Sequence, residues 1–264
     1  MPQTPISIQE CFSNQKAAGR RVLIPYLTAG YPDAQTTLEL MGRLVEAGAD
    51  LLELGIPFSD PLADGPTIQR TSFHALAEGM TVAGTLEILR AFRQDYATPV
   101  VLFTYLNPVL RFGLGSFLSQ AVSAGAQGLL LTDLPAGADP SLEGEIASAD
   151  LDLIRLVAPT TPRARVKEVA RGGSGFLYYI SRTGVTGAQQ DLRGDLAAEV
   201  EGIRGEVSLP VAVGFGISTP DQAALVAGVA DGVVVGSALL NALDRGGTDE
   251  AAAFLSSLRR GMDG

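Results

Sequence analysis

Several residue types are scarce in this chain, and each shortage excludes a class of chemistry. One cysteine, Cys11, rules out an internal disulfide and a cysteine zinc cluster and suits a reducing compartment. It reads as a buried apolar filler in an N-terminal helix. One histidine, His74, excludes histidine-cluster metal sites, and it stands in the run Arg70-Thr71-Ser72-Phe73-His74-Ala75-Leu76, which reads as helix rather than strand end. Lys16 and Lys167 are the only lysines and both fall in helical stretches, so no strand-end lysine is available for a Schiff base. Positive charge is short overall. The net charge of -10 argues against a partner made of phosphate backbone, so no nucleic acid is expected. No apolar run approaches membrane-spanning length, and positions 1–15 are polar without the basic and apolar segments of a signal peptide. A cytoplasmic protein without a membrane partner is expected.

What remains is a chain of 264 residues, 46% hydrophobic and 18% charged, enough for a sizeable core. Short apolar runs bounded by Gly and Pro predict strands over 21–28, 51–56, 100–104, 128–132, 152–157, 176–180, 210–213 and 232–235. Amphipathic stretches predict helices over 6–18, 34–47, 82–94, 115–124, 141–149, 162–171, 192–202, 219–228 and 248–260. In the first of these, Ser7 and Glu10 have the spacing of a capping box. Eight strands alternating with helices imply right-handed parallel crossovers, and eight such units close a (β/α)8 TIM barrel with an extra N-terminal helix. A doubly wound open sheet is the competing architecture. No linker or composition break divides residues 1–264, so a single domain is expected.

In either architecture the site lies beyond the strand C-termini. The second strand holds an ionisable carboxylate, Glu53, inside an apolar run. Burial without a partner raises a carboxyl pKa, which tunes a general acid or base toward neutral pH; a strand-end carboxylate paired with an arginine is the structural alternative. The loop that follows carries Asp60 and Asp64 among Pro57, Pro61 and Pro66, either as turn formers or as a second carboxylate facing the same cavity.

Glycines follow the last three strands: Ser181 to Gly187, Gly214 to Ser218, and Gly236-Ser237-Ala238. Glycine lets backbone N–H groups approach an anion, and Gly236-Ser237 opens a helical run whose N-terminus favours phosphate. Gly184-Val185-Thr186-Gly187 reads either as a lid or as a plain surface loop. Tyr26, Tyr105, Tyr178 and Phe215 fall at or beside strand ends, where they can wall an aromatic-sized pocket or pack inside the barrel.

The run Glu53-Leu54-Gly55-Ile56-Pro57-Phe58-Ser59-Asp60-Pro61-Leu62-Ala63-Asp64-Gly65-Pro66-Thr67-Ile68-Gln69 resembles the signature of the tryptophan synthase alpha chain family. The resemblance extends to Pro25 to Gly30, Thr132 to Pro135, Ser181 to Gly187 and Gly214 to Ser218, so it covers essentially the whole barrel. It implies a carbon–carbon lyase of tryptophan biosynthesis that cleaves indole-3-glycerol phosphate by a retro-aldol reaction to indole and glyceraldehyde 3-phosphate. It further implies Glu53 as general acid/base and Asp64 as the carboxylate that bonds the indole N–H. Thr186, Gly187, Gly216, Gly236 and Ser237 would bind the phosphate. No cofactor and no metal are expected in this chain. The implied partner is a pyridoxal-phosphate-dependent beta chain in an alpha2beta2 complex, with Asp60, Pro61, Asn107, Pro108 and Pro135 on loops of the contact face.

Overall fold

The structure, a computed structural model, describes residues 3–180, 189–214 and 216–264, and the side chains of 189–195 are left out of the account. The chain begins with α1 (Ile8–Ala17), then β1 (Val22–Thr28), α2 (Ala34–Glu46), β2 (Leu52–Gly55), α3 (Pro66–Ala77), α4 (Val82–Phe92) and β3 (Val100–Thr104). It continues through α5 (Leu106–Phe112), α6 (Leu114–Ala124), β4 (Gly128–Leu131), α7 (Pro140–Ala147), β5 (Asp152–Val157), α8 (Arg163–Arg171) and β6 (Leu177–Ile180). The last elements are α9 (Gln189–Arg204), β7 (Val211–Gly214), α10 (Pro220–Ala227), β8 (Gly232–Val235) and α11 (Ser237–Asp263). All eight strands are parallel to their neighbours, and β1 pairs with both β2 and β8, so the sheet closes. This is the (β/α)8 barrel; the open doubly wound sheet is excluded. Each strand end falls within one residue of its expected position.

The strands are apolar on both faces because each face meets a different core. Inward side chains of the lower barrel, among them Val22, Ile24, Leu51, Val101, Leu130, Ile154, Phe176 and Val234, form one cluster. Outward ones such as Leu23, Leu27, Leu52 and Leu54 pack beneath the surrounding helices in another. Ile8, Cys11 and Phe12 of α1 belong to the inner cluster, so the leading helix stoppers the N-terminal end of the barrel. Its start is held as expected, with Ser7 Oγ accepting from the Glu10 N–H and the Glu10 carboxylate accepting from the Ser7 N–H. Cys11 is a filler there, its thiol pushed up to about 12 chiefly by burial.

Two expectations about local structure are overturned. Asn107 and Pro108 do not lie on a loop; they sit in the first turn of α5, where proline's missing N–H has no intrahelical partner to lose. Pro61, on the loop after β2, is buried rather than exposed. The helices expected near 238–243 and 248–260 are both present within α11, separated by Gly246 and Gly247, where the backbone leaves helical geometry.

Candidate active site

Side chains alternate along a strand, so Glu53, two residues beyond the inward Leu51, must also point inward. The register sets Glu53 beside Tyr26 of β1 and Val101 of β3. Glu53 is 1% exposed, and its Oε1 has no hydrogen-bond partner among the described residues. Burial alone pushes its carboxyl up to about 8, so it holds its proton at neutral pH. No ion pair involving Glu53 occurs among the described residues, so none of the described arginines is paired with it.

Asp64 reaches the same cavity from the loop between β2 and α3. The Tyr105 hydroxyl at the end of β3 donates to Asp64 Oδ2 at 3.1 Å and accepts from the Ala63 N–H at 2.9 Å. One tyrosine therefore holds both the backbone and the carboxylate of the loop. Burial raises the Asp64 carboxyl to about 6, against the lowering effect of that hydroxyl, so at neutral pH it is largely ionised. Asp60 has no such contact with the cavity; it is exposed and accepts from the neighbouring Ser59 hydroxyl at 2.7 Å.

Tyr26 and Tyr178 complete the wall. Burial raises both hydroxyl pKa values first, and the nearby charges of Asp64 and Glu53 raise them further. The two carboxylates thus act on the same pair of rings, so all four groups are neighbours at the C-terminal end of the barrel. The rings fit because the facing positions are glycine: a Cβ at Gly55 would stand 2.2 Å from the Tyr26 hydroxyl, and one at Gly214 would stand 2.5 Å from that of Tyr178. Phe103 packs edge-on against Tyr26 at 5.2 Å, and Phe58 lies against Tyr105 at 5.2 Å. Neither phenylalanine stands out in sequence, since only the folded chain brings them to the tyrosines.

At the far side, Gly236 leads into α11 with Ser237 as its first residue, exposed at the cavity rim. A Cβ at Gly236 would meet Tyr26 Cβ at 3.6 Å, so this helix start adjoins the same aromatic wall. The helix N-terminus offers unpaired N–H groups to an anion. Gly216, after β7, adopts φ +74, a left-handed conformation that glycine takes without strain. Thr186, Gly187 and Phe215, with the rest of the expected lid 181–188, lie outside the described residues.

Of the residues expected on a partner face, Asp60, Asn107 and Pro135 are exposed and Pro108 is half-buried. Leu62, at the tip of the Asp64 loop, is 90% exposed. A second cleft, of about 1450 Å³, opens at the opposite end of the barrel, where Lys16, Arg20, Arg21 and Arg204 alternate with Glu10, Asp150, Asp152 and Asp231. Its charges offset one another, and it holds no buried unpartnered carboxylate among the described residues. Among the described residues no group of three or more His, Cys, Asp or Glu side chains is placed to hold a metal ion. No described helix is long and apolar enough to cross a membrane.

The chain matches the family described as tryptophan synthase alpha chain over residues 12–260. It is 47% identical to the tryptophan synthase alpha chain of Citrifermentans bemidjiense, across 97% of this chain and 97% of that one. Among solved structures, tryptophan synthase subunit alpha from Legionella pneumophila str. Paris superposes with a TM-score of 0.89 at 40% identity, covering 97% of this chain and 98% of that one. Tryptophan synthase from M. tuberculosis in its aminoacrylate-bound form gives 0.87 at 34% identity, over 97% and 100% of the two chains. With a matching barrel, and the Glu53 to Gln69 run folded around one carboxylate-lined cavity, this chain belongs to the tryptophan synthase alpha chain family.

Proposed function

We propose that Glu53 and Asp64 are the catalytic pair of this barrel. As a member of its family the chain is a lyase that cleaves indole-3-glycerol phosphate to indole and glyceraldehyde 3-phosphate. The observation that carries the assignment of roles is the buried, unpartnered carboxyl of Glu53, raised to about 8. A proton held there at neutral pH is available to the indole ring carbon that bears the side chain. Asp64, ionised and anchored by Tyr105, accepts the indole N–H and stabilises the positive charge that grows on the ring as it is protonated. The bond between ring and side chain then breaks, its electrons restoring the aromatic ring, while the adjacent side-chain hydroxyl becomes the aldehyde. That hydroxyl's proton returns to the Glu53 carboxylate, so the enzyme ends in its starting state.

The remaining roles are those the sequence and the family resemblance imply: Tyr26, Tyr105, Tyr178 and Phe215 wall the indole, and Thr186, Gly187, Gly216, Gly236 and Ser237 bind the phosphate. The described positions of Tyr26, Tyr105, Tyr178 and Gly236 support that reading. The rim bearing Asp60, Asn107, Pro108 and Pro135 faces a beta chain that carries the pyridoxal phosphate, in an alpha2beta2 complex. Buried Pro61 acts there by shaping the Asp60 loop. This chain itself needs no cofactor or metal for the steps above. Residues 1–264 work as one domain, and the net charge of -10 suits a cytoplasmic enzyme with no nucleic-acid or membrane partner.

Loss of activity in Glu53→Gln tests the assignment, with kcat for indole release expected to fall roughly 10²–10⁴-fold. The pH profile is the second measure: kcat/KM should rise as Asp64 ionises near pH 6 and fall as Glu53 loses its proton near pH 8. A profile flat from pH 6 to 9 would remove the acid role of Glu53.

A further inference from the structure

Three elements that surround the cavity are tied together outside it by groups that touch no part of the site. Arg70 of α3 pairs through Nη2 with Asp244 Oδ2 of α11, and its Nη1 donates to the Tyr31 hydroxyl at 2.6 Å. The Tyr31 hydroxyl in turn donates to Asp244 Oδ1 at 2.5 Å, closing a triangle. Tyr31, on the loop after β1, is 9% exposed, with the Arg70 guanidinium over its ring and His74 packed edge-on against it. One turn nearer the cavity, the Thr67 hydroxyl donates to Asn241 Oδ1 at 3.4 Å. Contacts 67 to 241 and 70 to 244 advance by three residues on both helices, so α3 and α11 run side by side in the same direction. Their starts therefore lie together at the mouth of the barrel. Two residues before α3 stands Asp64; the first residue of α11 is Ser237. A third tie, Thr28 Oγ1 to Thr71 Oγ1 at 2.8 Å, fastens α3 to the end of β1.

We propose that Arg70, Tyr31 and Asp244 are positioning residues that set the distance between the Asp64 carboxylate and the start of α11, so that both ends of one substrate are gripped at once. The proposal rests on the roles given above to Asp64 and Ser237. Stability is a poor explanation for the triangle, because Arg70 and Asp244 keep 48% and 31% of their side-chain surface exposed, and exposed ion pairs add little. Geometry is a better one. A charge-assisted fork closed by a nearly buried tyrosine holds two helices in one register, and misplacing a positioning group by about 1 Å is enough to lower turnover sharply. The ties bear only on the span between the two helix starts. A ligand that occupies one end alone is indifferent to that span.

The test compares a long ligand with a short one in the full-length chain. Arg70→Met, Asp244→Asn and the double variant are assayed for kcat/KM with indole-3-glycerol phosphate, for inhibition by glycerol 3-phosphate, and for thermal midpoint. Each single variant should lose roughly tenfold in kcat/KM. The double variant should lose no more than the worse single, as members of one unit do. Inhibition by glycerol 3-phosphate should stay within about twofold and the midpoint should hold, since neither depends on the span. Single variants with wild-type kcat/KM, losses that add in the double, or an equal loss of glycerol 3-phosphate inhibition would each overturn the proposal. Asp64→Asn, assayed alongside, separates the two readings. If it turns over normally, the role of Asp64 fails; if it is inactive while Arg70→Met is silent, only the clamp fails.

Discussion

Asp50 and Glu53 stand three residues apart, yet they bring the same functional group to opposite ends of the barrel and to opposite fates. Asp50, just before β2 at the end plugged by α1, is fully engaged: Oδ2 accepts from the Leu23 N–H at 2.8 Å and from Arg259 Nη1 at 3.1 Å, and Oδ1 accepts from Gln15 Nε2 at 2.6 Å. It joins α1, β1 and α11 at one point. Burial still lifts its carboxyl to about 6, outweighing the Leu23 N–H and Arg259. Glu53, at the open end, has no ion-pair partner among the described residues and rises to about 8. The lesson is that burial alone does not mark a catalytic carboxylate. What distinguishes Glu53 is that no described residue answers its charge, which a structural role would not tolerate.

If that contrast is right, replacing the two side chains should move stability in opposite directions. Glu53 has a native pKa near 8 against 4.5 for the free side chain, so between those values the native state holds the extra proton and stability falls as pH rises. Glu53→Gln removes that slope. In urea unfolding at pH 9 the variant should be more stable than the wild type by on the order of 3 kcal/mol, with little difference at pH 4.5. An unchanged pH slope would show that Glu53 ionises freely in the native barrel. Asp50→Ala should do the reverse, costing about 2 kcal/mol by leaving the Leu23 N–H, the Gln15 amide and the Arg259 guanidinium without their acceptor. The surviving folded fraction should keep its lyase activity, and a selective loss of kcat at wild-type stability would break the division between the two ends. The smallest effect belongs to the plug itself. Ser7→Ala removes the reciprocal cap of α1 and should lower stability by about 1 kcal/mol with kcat unchanged, measured by thermal unfolding and by assay.

Much of this contrast was legible before any coordinates. A lone carboxylate in the apolar run around Glu53 is an anomaly that needs no fold to notice, and the Ser7 to Glu10 spacing is a local rule that the structure repeats. The eight strands were readable because each is buried on both faces and so lacks polar interruptions. The departures from expectation concern what the resemblance implies for single prolines. It puts Pro108 on a contact-face loop, whereas Pro108 lies in the first turn of α5, where its missing N–H removes nothing. It puts Pro61 on the same face, whereas in this chain Pro61 is buried. His74, set aside as a helix residue, is one, and it packs edge-on against Tyr31 with its Nε2 3.0 Å from the Pro32 carbonyl oxygen.

Taken by itself, the order of residues determined the alternation of strand and helix, the inward face of β2 and the presence of a costly carboxylate on it, because hydrophobic period and local capping act over a few positions. Only the closed barrel decided that Tyr26, Tyr105 and Tyr178 would surround Glu53 and Asp64, and that Arg70, Tyr31 and Asp244 would meet across 213 residues of chain. Those meetings depend on strand register and helix packing, which are settled by the whole sheet at once and leave no mark at any single position.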